Sequence, residues 1–193
     1  MPVAHSSDLD LARRIAAGED AAAEELLGVL SSEMYGFARR LLRDAIAAED
    51  ALQETLIAML QGAEKFDGRV SLRAWGYGIL RHKIGDVLRR RGREAVVGEL
   101  DPERDSFDAT GHWKDVGFQP WNEAAETLEV VRACMDQLPR QQREALELFA
   151  LNGLDGAEAA AALEVSPANL RQILHRGRAA VRKCAAGKLG EVA

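Results

Sequence analysis

The stretch from Ser166 to Lys188, SPANLRQILHRGRAAVRKCAAGK, decides how the rest of the chain is read, because it holds six Lys or Arg and no Asp or Glu inside a chain of formal net charge −6. Ser followed by Pro marks a helix start. The Ser hydroxyl accepts from a free N–H of the first turn, and Pro suits the first helical position with its fixed φ. Leu170, Leu174 and Val181, at spacings of four and seven, form one apolar stripe. Asn169, Arg171, Gln172, His175, Arg176 and Arg178 are left on or near the outer surface. Arg pairs with guanine edges, Asn and Gln with adenine, and the remaining positive charge holds phosphates, whereas a carboxylate on this face would repel them. Asp155 to Leu163 reads as a short supporting helix and Glu164-Val165 as a tight turn, so the whole has the form of a helix-turn-helix. A packing helix with a solvated basic face is the competing explanation; the cap, the turn and the charge sorting together favour DNA.

The 193 residues, 47% apolar with abundant Ala and Leu, few aromatics and five Pro, predict an all-α fold of one ordinary or two small domains. No apolar run approaches the roughly 18 residues of a membrane span. The N-terminal MPVAHSSDLDLARR has neither a basic start nor an apolar signal core, so the expected location is the cytoplasm, with no membrane insertion. Cys134 and Cys184 lie far apart with no CxxC neighbour, which predicts reduced, buried thiols rather than a disulfide or a zinc site. Charge is sorted by segment. From Arg69 to Arg93 eight Lys or Arg face one acid, Asp86, and with the C-terminal stretch this suggests two separated anion-binding faces on an acidic body.

Three- and four-residue apolar spacing recurs in LARRIAAGEDAAAEELLGVL and MYGFARRLL, and again in AAEDALQETLIAMLQG, where Leu52, Leu56, Met59 and Leu60 are expected inside while Asp50, Gln53 and Glu54 point elsewhere. SLRAWGYGILRHKIGDVLRRRGRE makes the next helix, with Ser71 as N-cap, after a turn at Gly68. The expected domains are 1–94 and 124–193. The connector 95–123 between them lacks periodicity, is acidic, and carries Phe107, Trp113, Phe118 and Trp121. Pro139 and Asn152-Gly153 bracket a helix of the second half. Trp75, Tyr77, His82 and Phe66 are interleaved with Arg, a mixture that suits unpaired bases, although Trp75 or Tyr77 taken singly is better explained as core.

FDGRVSLRAWGYGILRHKIGDVLRRRGRE resembles the region of bacterial extracytoplasmic-function sigma factors in which a phenylalanine, a polar loop, a tryptophan-bearing helix and a run of arginines follow one another. AEDALQETLIAML is similar to the helix before it, and LDGAEAAAALEVSPANLRQILHRGRAAVRKC to the promoter-reading helix-turn-helix of that family. The resemblance implies a sigma region 2 bundle and a sigma region 4 helix-turn-helix that act with core RNA polymerase, through its beta-prime clamp helices and beta flap, on promoter DNA. By it Asp50, Gln53 and Glu54 match the polymerase-binding face. Arg69, Val70 and Ser71 match the loop that captures a flipped base of the minus-ten element, and Trp75, Arg81 and His82 its supporting helix; Arg73 and Tyr77 of the same segment are counted with them as minus-ten candidates. Arg171, Gln172, His175 and Arg176 match the positions that read the minus-thirty-five element. His82 stands where many relatives carry Asn, and Gly76 and Gly78 replace larger residues, which suggests a loosened helix. The connector pattern FDATGHWKDVGFQPWN and ILHRGR resemble one subset of the family, which implies an anti-sigma partner, in that subset a small zinc-binding protein.

The implied mechanism uses no cofactor and no catalytic residue: contacts made only to the open strand offset the free energy of unstacking. Two alternatives stand beside it. A stand-alone helix-turn-helix repressor predicts tight duplex binding without polymerase. A metal-dependent hydrolase would need His5, His82, His112 or His175, which are scattered singly, with no HExxH, nucleophile elbow or P-loop.

Overall fold

Helix ends written into the sequence set the path of the chain. The computed structural model of the protein describes residues 6–92 and 125–190. Four helices build the first unit: α1 (Ser6–Ala16), α2 (Asp20–Leu42), α3 (Ala45–Gly62) and α4 (Leu72–Arg90). Arg43 ends α2 in the left-handed region, at φ 55°, with its N–H on the Arg39 carbonyl. Asp44 then caps α3 by accepting from Ala47 N at 3.1 Å. So short a connection folds α3 back along α2. Ser71 caps α4 as the sequence predicts, accepting from Ala74 N at 3.1 Å, and Gly68 supplies the positive φ of the preceding turn. Met34, Phe37, Met59, Tyr77, Leu80 and Ile84 make the centre of this bundle.

Two expectations about packing change. The buried stripe of α3 is Ala47, Ala51, Thr55 and Met59, with Ala48 beside it, while Leu52, Leu56 and Leu60 are only half-buried. Small residues let α3 approach its neighbours closely, and the buried Thr55 hydroxyl is satisfied by donating to the Ala51 carbonyl at 2.7 Å. Hydropathy alone favours the leucines and misses this. Gly76 does not loosen α4 either. It is buried, and a Cβ there would lie 2.7 Å from Met59 Sδ. At Gly78 the nearest atoms to such a Cβ are the Ala162 carbonyl oxygen and Cα, at 3.7 and 3.9 Å. Gly76 therefore serves close packing, whereas a Cβ at Gly78 would make only ordinary van der Waals contact.

The second unit comprises α5 (Ala125–Met135), α6 (Arg140–Leu146) running on as a π-helical turn (Glu147–Leu151), α7 (Gly156–Ala162) and α8 (Pro167–Gly190). Among the described residues there is no strand. Pro139 sits one position earlier than expected, as the N-cap of α6, and Gly153 leaves the π-helical turn at φ 65°. Leu170, Leu174 and Val181 are buried as predicted. The cysteines are not free thiols: Cys134 of α5 and Cys184 of α8 form a disulfide, Cα–Cα 5.8 Å. Their 50-residue separation carried no hint of this. The docking of α5 along α8 brings them together.

The two units pack on each other, α7 against α4 and the start of the π-helical turn against α2. Glu147, 3% exposed, pairs with Arg40, whose Nη2 also donates to Asn152 Oδ1 at 2.6 Å. Arg140 Nη2 donates to the Arg81 carbonyl at 3.0 Å, and Arg143 donates to the Arg40 carbonyl. No described helix is long and apolar enough to cross a membrane.

Candidate nucleic-acid interface

In the C-terminal unit a capping box starts α7: the Asp155 carboxylate accepts from Ala157 N and Glu158 N, both at 2.8 Å, and Glu158 returns to Asp155 N at 3.1 Å. Leu163 closes the helix, and Glu164 makes the turn at φ 57°. Ser166 then caps α8, its hydroxyl accepting from Asn169 N at 3.2 Å. This start aims the first turns of α8 outward. Asn169, Arg171 and Gln172 are exposed, and His175, Arg176 and Arg178 are half-buried along the same helix. The Arg178 guanidinium lies 5.5 Å over the Phe149 ring, and burial lowers its pKa from the ordinary arginine value, with Arg182 adding to the effect. Gly177 lies under α6, where a Cβ would come within 3.1 Å of Leu146 Cδ1, so a glycine keeps the reading helix seated.

The second basic segment begins at an Asx turn, in which Asp67 Oδ1 accepts from Arg69 N at 3.1 Å. Arg69 is exposed there and Val70 half-buried. Leu72 N donates to Asp8 Oδ2 at 2.7 Å, which ties α1 to the start of α4. Trp75 packs at 5.3 Å from Phe66, both half-buried. Tyr77 departs from the sequence expectation of a base-stacking ring. It is fully buried, edge-on to Phe37 at 5.3 Å, and its hydroxyl accepts from Asn152 Nδ2 at 2.7 Å. Burial raises its pKa above the ordinary tyrosine value. Arg73 grips Glu33 through two bonds, at 2.9 and 2.6 Å, and this raises its pKa.

Arg81 and His82 are not open to solvent on all sides. Arg81 Nε donates to the Ala162 carbonyl at 3.1 Å, and Glu164 lies 3.2 Å from Arg81 Nη2 and 2.9 Å from His82 Nε2. These partners, His82 first, hold the Glu164 carboxyl below its ordinary value. The expectation of two separate open basic faces is therefore corrected on one side: the α8 face is open, whereas the α4 face meets α7 and the turn after it.

On α3, Asp50, Gln53 and Glu54 are exposed as predicted, with Glu54 paired to Lys83 at 3.0 Å. They line one wall of a groove of about 440 Å³ between α3 and α4, whose other wall carries Lys83, Arg90 and Arg91. Sequence reasoning missed Ile46 and Ile57, 74% and 53% exposed. With Asp50 and Gln53 they lie at helical spacing on one face, and the signal was available as two large aliphatics out of phase with the apolar stripe. Phe107, Trp113, Phe118, Trp121, His5 and His112 lie outside the described residues. Among the described residues no group of three or more His, Cys, Asp or Glu is arranged to hold a metal ion.

Two family models match the chain in order: Sigma-70 region 2 over residues 26–94 and Sigma-70, region 4 over residues 128–181. An ECF RNA polymerase sigma factor, EcfG of Rhodopseudomonas palustris, is 31% identical over 160 residues, covering 82% of this chain and 82% of its own. This chain is an extracytoplasmic-function member of the sigma-70 family. A probable RNA polymerase sigma-C factor of Mycobacterium bovis is likewise 31% identical, over 89% of this chain and 87% of its own. Of solved structures, CnrH in complex with the cytosolic domain of CnrY matches at TM-score 0.65 and 24% identity, covering 91% of this chain and 95% of that one. The sigma factor RpoE from Bartonella quintana, in complex with the anti-sigma factor NepR, matches at 0.59 and 22%, covering 83% and 94%. At these identities the two structures support the fold. As a sigma factor the protein directs promoter-specific initiation by RNA polymerase, region 4 reading the minus-thirty-five element and region 2 opening the minus-ten element. Sigma factors are not a class of catalysts.

Proposed function

We propose that this sigma factor divides its work among three surfaces built from the residues above. Asn169, Arg171, Gln172, His175, Arg176 and Arg178 of α8 read the minus-thirty-five element in the major groove. Arg69, Val70 and Ser71, backed by Arg73, Trp75, Arg81 and His82, hold the opened minus-ten strand. Asp50, Gln53 and Glu54, flanked by Ile46 and Ile57, dock on the polymerase clamp helices. Tyr77 holds the α4 framework together instead of touching DNA. The domains are 1–94 and 124–193, with 95–123 as connector. The protein works in the cytoplasm without a catalytic residue of its own, and the polymerase supplies the chemistry.

The observation that carries this reading is the open face of α8: an Asn-Arg-Gln surface free of carboxylates, presented by a capped helix after a tight turn. An anti-sigma partner fits the same picture, since CnrH and RpoE were each solved with a protein bound. Run-off transcription with purified core polymerase tests the proposal, together with a gel shift with and without core. Start-site-specific transcripts and a promoter shift that needs core support it. A specific shift by the protein alone, with no transcript, supports a repressor.

A further inference from the structure

Arg171, His175, Arg178 and Arg182 follow one another at spacings of four, three and four, so they share one line along α8. Arg171 and Arg182 are exposed, His175 and Arg178 half-buried. Long cationic side chains in a row repel one another, and each must be ordered when it meets DNA, at a cost in entropy. Arg178 is supported from beneath, with its guanidinium 5.5 Å over the Phe149 ring. The close seat of Gly177 on Leu146 sets this up, because Phe149 lies three residues beyond Leu146 and Arg178 follows Gly177. Phe149 stands in the π-helical turn, where Asn152 N donates to the Glu147 carbonyl at 2.9 Å. Single π turns of this kind recur at functional sites.

A carboxylate beneath an arginine holds it firmly, as Glu33 holds Arg73, but it also cancels the charge and repels a phosphate. An aromatic ring attracts the guanidinium through its quadrupole, engages its flat face and leaves its charge whole. Burial costs the Arg178 cation part of its hydration and lowers its pKa, and the like charge of Arg182 acts in the same direction. A phosphate oxygen meeting the guanidinium edge offsets both effects. The geometry points to Phe149 as a positioning residue for promoter binding: its ring pre-organises Arg178 as a phosphate clamp on α8. The inference deepens the function proposed above and rests on the assignment of Arg178 to DNA.

The test uses holoenzyme formed from the full chain and core polymerase, with a labelled promoter fragment that the wild-type holoenzyme transcribes. Phe149→Leu keeps an apolar side chain and removes the π face, Phe149→Tyr keeps the face, and Arg178→Ala removes the cation. Fluorescence anisotropy over a series of potassium chloride concentrations gives the affinity and its salt slope, to which each phosphate contact contributes about 0.9. Phe149→Leu should weaken promoter binding roughly threefold to tenfold and flatten the slope in the same sense as Arg178→Ala. The double variant Phe149→Leu/Arg178→Ala should be no weaker than Arg178→Ala alone, and Phe149→Tyr should match the wild type. A wild-type slope in Phe149→Leu beside a flattened slope in Arg178→Ala overturns the positioning role and leaves Arg178 on the DNA. A loss of affinity shared by Phe149→Leu and Phe149→Tyr at unchanged slope marks plain packing and overturns it as well. If Arg178→Ala itself changes neither affinity nor slope, the assignment of Arg178 to DNA fails and the inference with it.

Discussion

Reducing the Cys134–Cys184 disulfide should cost the C-terminal unit most of its stability. The bond closes a 50-residue loop, and for such a loop the chain-entropy model gives about 4 kcal/mol of stabilisation through the unfolded state. A single helical unit of this size has a net stability of order 5 kcal/mol or less, so the reduced unit sits near the edge of folding. Comparing the oxidised and dithiothreitol-treated chain keeps every side chain in place, which avoids the cavity that Cys134→Ala would add at a position 1% exposed. Urea unfolding followed by circular dichroism should show the second unit's midpoint falling by roughly 2 to 4 M, with a slope near 1 to 2 kcal/mol/M. Hydrogen exchange should accelerate in α5 and α8 while α2 and α3 keep their protection. If both cysteines alkylate in the native protein before reductant is added, or if the midpoint moves by less than about 0.5 M, the structural assignment of this bond is wrong.

Asp50→Ala with Gln53→Ala should weaken core polymerase binding about tenfold or more, yet leave the melting curve within about 0.5 kcal/mol because both side chains are exposed; competition with labelled wild-type protein reads this. Arg171→Ala and Gln172→Ala should each cost about 1 to 3 kcal/mol of promoter discrimination in the holoenzyme, with no change in core affinity. Burial raises the Glu144 carboxyl above its ordinary 4.5, against the opposing pull of Arg140 at 2.6 Å. Its contribution to stability is therefore full below about 4.5 and is lost as pH rises through the raised folded value. Glu144→Gln should flatten that part of the stability profile, as measured by urea melts at a series of pH values.

Local chemistry carried much of this protein. Ser71 and Ser166 cap their helices, Gly68 turns the chain, and Leu170, Leu174 and Val181 point inward, because each of these features depends on neighbours within a few residues. The exposed Asp50, Gln53 and Glu54 and the carboxylate-free face of α8 follow from the same periodicity. Four features depended on residues far apart in the chain. The small-residue stripe of α3 answers to how close α2 and α4 come, and Tyr77 is buried because Phe37 and Asn152 receive its ring and hydroxyl. The disulfide exists because α5 docks on α8, and the Asn152 carbonyl on Arg73 and the partners of Arg81 and His82 come from a second unit whose arrival no local pattern announces. Periodicity reports which side of a helix is apolar, whereas the identity of what meets that side is a property of the assembled fold.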